Sequence, residues 1–278
     1  MTRRTEDRVA LHYAQGDLER TILEALVASG KDPDRLTPED LTPVDEFHTG
    51  GREATAAFAE QAGFAMGQHL LDIGCGIGGP SRFFARERGC RVTGIDLTED
   101  YVRTAEALSR RVGLDAQVAY RQASAVALPF ADAAFDGAYM IHVGMNVADK
   151  AALFAGVRRV VKQGGTFALF DIMKTGDGEL SYPVPWATVS ETSFVASPAE
   201  YRRGLEAAGF AIVGERNRRD FAARFFAEAT ARAAAAGGPP PLGTHLLMRE
   251  NAAQKIANVV ANLEKGLIAP IELICRTR

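Results

Sequence analysis

The chain has 278 residues, of which 47% are hydrophobic and 24% charged, and its formal net charge is −3. This length and composition suit one α/β domain that carries an extra cap or insertions. The slightly acidic balance, without a basic run, argues against a nucleic-acid partner. The three cysteines, Cys75, Cys90 and Cys275, match neither a disulfide framework nor a metal-ligand spacing, so we expect reduced thiols and no metal site.

No apolar segment reaches the length that crosses a bilayer, and the first residues contain no secretory-type apolar stretch. These features predict a cytoplasmic protein without stable membrane insertion. We expect its partner to be a small-molecule substrate, and the protein to be a monomer or a homodimer.

Residues 1–51 predict an N-terminal helical cap. Leu18, Ile22 and Leu26 share one face of a helix. A helix stop at Gly30 is followed by a polar stretch with three prolines, to which we assign no separate element. A further helix is expected at 52–62.

From His69 onward, apolar strands alternate with helical patterns. The predicted strands are 69–73, 91–96, 117–121, 135–140, 166–171, 210–215 and 271–275. This alternation predicts a mostly parallel sheet covered by helices on both faces. Within a main domain at 52–278, we predict a lid insertion at 176–197, which holds the single tryptophan, and a helical insertion at 220–266.

A glycine-rich turn follows the first predicted strand. Gly74, Gly76 and Gly79 satisfy the G-x-G-x-x-G spacing, in which glycines allow a sharp turn and a close approach of the backbone to a ligand. Asp96 ends the second strand, where an acid that binds ribose hydroxyls is expected. The strand, the turn, the helix and the distal acid together predict a nucleotide-type cofactor site.

Asp72, just before the glycines, helps to separate two cofactor classes. A nicotinamide cofactor brings a pyrophosphate, beside which a carboxylate has no evident use. S-Adenosylmethionine carries an ammonium and a sulfonium group, so a carboxylate acting directly or through water is electrostatically favourable. Asp72 therefore favours S-adenosylmethionine, and an NAD(P)-dependent oxidoreductase stays as the alternative enzyme.

Several ordered motifs then resemble one family. The segments 69–79 and 94–97 are similar to the first two motifs of small-molecule class I S-adenosylmethionine-dependent methyltransferases, and the segments 128–136 and 160–165 are similar to later ones. The segment 44–52 resembles the region before the first motif in sarcosine/dimethylglycine, ubiquinone and tocopherol methyltransferases. The resemblance covers about residues 47–175.

The resemblance implies a Rossmann-like seven-stranded sheet whose last strand inserts antiparallel between the fifth and sixth. The cofactor contacts that we expect on this basis come from Gly50, Gly51, Asp72, Gly74, Cys75, Gly76, Gly78, Asp96, Leu97, Ser124 and Ala125. The amides of Gly50 and Gly51 would face the cofactor carboxylate. Ser124 stands where the family usually has an adenine-binding acid, although a hydroxyl can still bind the adenine amine.

The acceptor side is less specific in sequence. His142 lies just beyond the carboxyl end of the fourth strand, where ligands bind in open α/β sheets, and it is the candidate general base. The candidate acceptor-binding residues are His12, Tyr13, His142, Asn146, Trp186 and Phe194. Ordinary packing is the alternative role for each of them.

The expected reaction is methyl transfer from S-adenosylmethionine to a small acceptor, with S-adenosylhomocysteine as the second product. The acceptor is either a glycine-type amine, methylated on nitrogen, or a quinone- or phenol-type metabolite, methylated on carbon or oxygen. The amine needs a carboxylate-binding arginine or a polar cage, whereas the quinone needs a wide apolar cleft. A non-catalytic S-adenosylmethionine-binding protein is the alternative from another functional class.

Overall fold

The structure, a computed structural model, describes residues 3–14 and 16–278. Its strands are β1 (His69–Ile73), β2 (Arg91–Asp96), β3 (Val118–Gln122), β4 (Phe135–Ile141), β5 (Val161–Lys174), β6 (Phe210–Asn217) and β7 (Ile268–Thr277). Its α-helices are α1 (Arg3–Tyr13), α2 (Leu18–Ala28), α3 (Pro38–Asp45), α4 (Gly51–Ala62), α5 (Gly79–Arg88), α6 (Glu99–Arg111), α7 (Lys150–Val160), α8 (Pro198–Ala207), α9 (Arg219–Ala235), α10 (His245–Met248) and α11 (Ala252–Glu264). Short 3-10 turns lie at Gly144–Asn146 and Ser190–Thr192.

The seven strands form one sheet in the order β3-β2-β1-β4-β5-β7-β6. The first five strands pair in parallel, and β7 pairs antiparallel with both β5 and β6. This topology confirms the fold that the motifs predicted. Strands β2 and β3 lie on one side of β1, whereas β4 and β5 lie on the other, so the order of strands changes direction between β1 and β4. In sheets of this kind, ligands bind at the carboxyl ends of the strands on either side of such a point.

Both faces of the central strands are buried, which explains their nearly continuous apolar sequences. Successive side chains of β1 point to opposite faces. Leu71 therefore packs with Met140 and Leu169 on one face, while Leu70 packs with Phe84 on the other. Two apolar layers thus hold the carboxyl ends of β1 and β4 in fixed positions.

Two predicted strands are longer in the structure than in the sequence reading. β5 already begins at Val161, whereas the predicted strand begins at residue 166, and the register with β4 shifts within these added residues. β7 begins before Pro270, which the prediction had placed ahead of the strand. β6 ends at Asn217 opposite Ile271, so on that side the missing N–H of the proline breaks no ladder bond.

The helix α3 lies in the proline-containing stretch, for which the sequence predicted no separate helix. Pro38 occupies the first turn of the helix, where an N–H group has no helical partner to lose. The Thr37 amide donates to the Asp40 carboxylate at 2.8 Å, which caps the start. The buried Arg82 then ties α3 to α5, because its Nε donates to Asp45 Oδ2 at 3.3 Å.

The 176–197 segment packs with the helices α9 and α11 beside the turn that follows β4. Val184 and Trp186 pack in one apolar cluster with Met145 and with residues of α9 and α11. The boundaries of the cap and of the two insertions stay predictions. Among the described residues, no helix is long and apolar enough to span a membrane, and no group of acidic, histidine or cysteine side chains has a metal-binding arrangement. All three cysteines are buried and free.

Candidate active site

A cavity of about 640 Å³ lies at the carboxyl ends of β1 to β4. Many of the predicted site residues line it together, namely Gly51, Gly74, Cys75, Gly76, Asp96, Leu97, Ser124 and Ala125 on the cofactor side, and Tyr13, His142, Asn146 and Trp186 on the acceptor side. Five others do not line it, namely Gly50, Asp72, Gly78, His12 and Phe194. The fold therefore brings most of the two predicted sets to one place.

The glycine turn presents backbone rather than side chains to this cavity. The amides of Gly74 and Cys75 both donate to the Ile95 carbonyl, at 2.8 and 2.9 Å, which fixes the turn against β2. Gly76 has a φ of 54°, and a methyl group added there would meet no other atom within 4 Å. The turn thus leaves open space beside Gly76. Burial raises the pKa of the Cys75 thiol, so this group is protonated at neutral pH.

Asp96 joins the turn to the end of β2. Its Oδ2 accepts from the Gly76 amide at 3.0 Å, and its Oδ1 accepts from the Thr98 amide at 2.9 Å. Burial raises the pKa of Asp96, and these backbone amides partly offset the effect. Each oxygen of a carboxylate can accept more than one hydrogen bond, so Asp96 keeps the capacity to bind hydroxyl groups in the cavity.

A carboxylate from the N-terminal helix lies beside Ser124, where the sequence lacks an acid. The Ser124 hydroxyl donates to Glu6 Oε1, and both residues line the cavity. Glu6 lies on α1, 118 positions away in sequence. No local motif could have indicated this contact, because it depends on how α1 packs over the sheet.

Asp72 lies close to the glycine turn but faces away from the cavity. It is 2% exposed, and its Oδ2 accepts from the Ser81 hydroxyl at 2.6 Å. Burial raises the pKa of Asp72 to about 7, although the bond from Ser81 lowers it in part. In this position Asp72 supports the start of α5 and does not meet the cavity directly.

Two predicted glycines serve packing in the structure. A methyl group at Gly78 would overlap the Tyr120 hydroxyl, and one at Gly50 would overlap the Phe221 ring. The neighbouring Gly51, which begins α4, does line the cavity. Close approach between elements therefore accounts for Gly50 and Gly78 without a ligand.

His142 lies where the sequence placed it, at the end of β4. Its Nε2 accepts from the Thr49 amide at 3.4 Å, a long hydrogen bond. Burial, with a smaller contribution from the charge of His48, lowers the pKa of His142 well below its ordinary value. The ring is therefore neutral at pH 7. An acceptor role for Nε2 places its proton on Nδ1, which is buried and has no hydrogen-bond partner among the described residues.

A polar cluster from the segment before α4 adjoins His142, and the sequence reading missed it. The His48 ring lies 5.7 Å from the His142 ring between centroids. His48 Nε2 donates to Glu46 Oε2 at 3.0 Å, and the Thr55 hydroxyl donates to the same oxygen at 2.7 Å. The pair Glu46 and His48 in the segment 44–52 could have indicated this cluster. In that segment, the sequence analysis had assigned a role only to the glycines.

The wall opposite the glycine turn is largely apolar. Its side chains come from the turn after β4, from β5, from the 176–197 segment and from α9 to α11, namely Met145, Val147, Ile172, Pro185, Trp186, Phe225, Phe226, Met248, Ile256 and Val259. Among the described residues, Arg232 is the only arginine or lysine that lines the cavity, and it is exposed. This wall has the character of an apolar cleft.

The remaining predicted acceptor residues hold the wall in place. The Tyr13 hydroxyl donates to Asn146 Oδ1 at 3.3 Å, and His12 Nε2 lies 3.0 Å from the Pro185 carbonyl. The Phe194 amide donates to the Met145 carbonyl at 2.8 Å. His12 and Phe194 thus link the 176–197 segment to α1 and to the turn after β4, outside the cavity lining.

Comparison with known proteins agrees with this architecture. Residues 71–169 match the family model described as a methyltransferase domain. The sterol 24-C-methyltransferase of Eremothecium gossypii is 34% identical over 125 residues, which cover 45% of this chain and 34% of that protein. The chain thus spans about a third of the length of this curated relative.

Solved structures match almost the whole chain. The 4+2 cyclase SpnF superposes with a TM-score of 0.69 at 23% identity, covering 94% of this chain and 93% of that one. Geranyl diphosphate C-methyltransferase from Streptomyces coelicolor A3(2), solved with S-adenosyl-L-homocysteine, superposes with a TM-score of 0.71 at 17% identity, covering 100% and 99%. At these identities the likeness concerns the fold. Residues 71–169 therefore match a methyltransferase domain, and the chain has the fold of these solved structures, in agreement with the topology that its motifs predicted.

Proposed function

We propose that this protein transfers a methyl group from S-adenosylmethionine to an oxygen or carbon atom of a small acceptor with a large apolar body. One observation carries the proposal: a single cavity joins the glycine turn to the apolar wall. Its volume of about 640 Å³ lies within the range of small-molecule sites. The methyltransferase domain at residues 71–169 supports the same reaction.

The residues on the glycine side fit S-adenosylmethionine. Asp96 stands beside the turn, where its free acceptor capacity suits the ribose hydroxyls. Ser124 and Glu6 offer a hydroxyl and a carboxylate to the adenine amine. The open space next to Gly76 accommodates the amino-acid part of the cofactor. The acidic lining agrees with a ligand that carries two positive groups.

The apolar wall supports the quinone- or phenol-type acceptor over the glycine-type amine. A glycine-type acceptor brings a carboxylate that needs a cationic partner, and the exposed Arg232 is the only arginine or lysine lining the cavity among the described residues. The rings of Trp186, Phe225 and Phe226 instead offer a surface for a flat apolar molecule. Transfer of that surface from water stabilises the bound acceptor.

When bound, S-adenosylmethionine would supply an electrophilic methyl group. An electron pair of the acceptor oxygen or ring carbon would form the new bond as the methyl–sulfur bond breaks, which leaves S-adenosylhomocysteine. The wall holds the acceptor in line and excludes water, since alignment lowers such barriers strongly. His142 Nε2 receives the proton of the acceptor hydroxyl, exchanging its long bond to the Thr49 amide for it.

A transfer assay with methyl-labelled S-adenosylmethionine tests this function. Purified protein is incubated with matched panels of phenols, quinones, amino acids and simple amines, and S-adenosylhomocysteine release is measured. We expect labelled products from phenols or from quinones supplied in their reduced, hydroxyl-bearing form. Transfer to amino acids alone contradicts the acceptor class, and cofactor binding without any release favours the non-catalytic alternative.

Two further readouts separate the remaining alternatives. Change in nicotinamide absorbance on addition of the protein favours an oxidoreductase. Rearranged but unlabelled products, seen by mass spectrometry, favour a reaction other than methyl transfer, as the fold shared with a cyclase allows.

A further inference from the structure

Glu46 is a buried carboxylate with one oxygen that lacks a hydrogen-bond partner. The residue is 4% exposed and lines the cavity. Its Oε2 accepts from His48 and Thr55, whereas its Oε1 accepts from no described residue. The nearest cation, Arg52 Nη1, lies 3.9 Å from Oε1 and belongs to a guanidinium that also donates to Glu87. A buried carboxylate oxygen without a hydrogen-bond donor destabilises the fold unless a ligand supplies the donor.

Glu46 is ionised, in contrast to the acid that the sequence favoured. Burial opposes its ionisation, but the hydrogen bond from His48, the charge of that ring, the bond from Thr55 and the charge of Arg52 together outweigh this effect and lower the pKa of Glu46. Burial of Asp72 has the opposite net result, because it raises the pKa of that group to about 7. At neutral pH, Glu46 is therefore the more fully charged of the two carboxylates.

Glu46 lines the same cavity as Gly76, beside which the proposed function places the amino-acid part of the cofactor. Its neighbour Asp45 packs against Gly79, so that a methyl group at Gly79 would overlap the Asp45 carbonyl. This contact sets Glu46 beside the glycine turn. Of the residues assigned to adenosine, Ser124 follows β3 and Asp96 is the last residue of β2.

We propose that Glu46 binds the ammonium group of the cofactor through Oε1, with His48 and Thr55 holding the carboxylate in place. This inference rests on the proposed function, because it takes S-adenosylmethionine as the ligand. It transfers to Glu46 the charge-balancing role that the sequence assigned to Asp72. Charge-assisted hydrogen bonds of this kind are among the strongest that a protein makes.

Three ligands with different charges test the proposal by isothermal titration calorimetry. S-Adenosylmethionine carries the ammonium and the sulfonium, S-adenosylhomocysteine carries only the ammonium, and 5′-methylthioadenosine carries neither. We expect Glu46→Gln to weaken the first two by at least about tenfold and to change the third by less than about twofold. Equal loss for all three ligands, or unchanged affinity for the first two, overturns the proposal.

Two matched variants calibrate the result. Asp96→Asn should weaken all three ligands, because they share the ribose. Glu87→Gln removes the other carboxylate that contacts Arg52, outside the cavity, and should change none of the affinities. If wild-type protein binds none of the three ligands, the proposed function fails rather than this inference alone.

A wild-type measurement keeps the proposal testable if Glu46→Gln does not fold. The deaminated analogue of S-adenosylhomocysteine lacks only the ammonium group. It should bind wild-type protein at least about tenfold more weakly than S-adenosylhomocysteine. A difference of less than about threefold overturns the proposal.

Discussion

The glycine turn and the apolar wall face each other across one cavity, but the chain builds them differently. The turn offers backbone next to Gly76 and one carboxylate, Asp96, and all of its parts lie within 25 positions of one another. The wall consists of side chains from the turn after β4, β5, the 176–197 segment and three C-terminal helices. The turn depends on local geometry, whereas the wall depends on how distant segments pack.

This difference separates what is shared with relatives from what is particular to the chain. The methyltransferase match covers residues 71–169, which include the turn and Asp96. Most of the wall, from Ile172 to Val259, lies beyond that match. Replacement of a turn residue should therefore weaken cofactor binding, whereas replacement of a wall residue should weaken acceptor binding alone.

The largest effect is expected on the turn side. Asp96→Ala removes the carboxylate that joins Gly76 to the end of β2 and that we assign to the ribose. Affinity for S-adenosylmethionine should fall by at least about 100-fold, because a buried charged hydrogen-bond acceptor is lost. Calorimetry measures the change, and near-wild-type affinity would contradict the ribose assignment.

His142 lies between the two sides, and its replacement tests the chemistry. His142→Ala should lower kcat for a hydroxyl acceptor by about 100-fold, as expected for loss of a general base. Because burial lowers the pKa of His142 well below 6.5, the base is deprotonated at pH 7, and wild-type activity should fall only below pH 6.5. The pH–rate profile checks this limb. If the remaining activity of His142→Ala still falls at low pH as in the wild type, the general base is another group.

The wall predicts a smaller effect, confined to the acceptor. Phe225→Ala removes a partly buried ring that lines the cavity and should raise KM for an apolar acceptor by about tenfold. The cofactor Kd should stay within about twofold. Phe221→Ala, on the same helix but outside the lining, is the matched control. If both variants raise KM equally, α9 acts through stability rather than contact.

The smallest effect concerns Asp72, beside the turn but outside the cavity. Its pKa of about 7 exceeds the ordinary 3.8, so the stability gained from its protonated form is present below pH 4 and is lost as the pH rises through 7. Asp72→Asn should therefore raise Tm at pH 8 by about 3–8 °C, and less at pH 5.5. Cofactor affinity should change by less than about threefold.

Asp136→Asn provides a control of opposite sign. The His69 amide and then Lys162 lower the pKa of Asp136, so its charged form stabilises the fold at pH 8. This variant should lower Tm at that pH. Thermal melts at the two pH values compare both variants, and a lower Tm for Asp72→Asn at pH 8 would contradict the assignment of Asp72.

Local signals explain what the sequence predicted correctly. Apolar runs that end in glycines gave the strands and the turn, and the ordered motifs gave the topology with an antiparallel β7. The sequence-based predictions were incomplete or wrong where prolines were taken to limit an element. No separate helix was predicted at α3 because of its prolines, although Pro38 fits the first turn of a helix. Pro270 was taken as the boundary of the last strand, although β7 continues through it.

The sequence by itself determined the fold, the turn and the place of Asp96, because these depend on residue type and spacing over short distances. Only the tertiary structure decided which acids face the cavity. It turned Asp72 toward Ser81, brought Glu6 to Ser124 and left Glu46 with an unpartnered oxygen. The physical reason is that carboxylates owe their charge and orientation to burial and to hydrogen bonds from segments far apart in the chain, which spacing along a sequence does not contain.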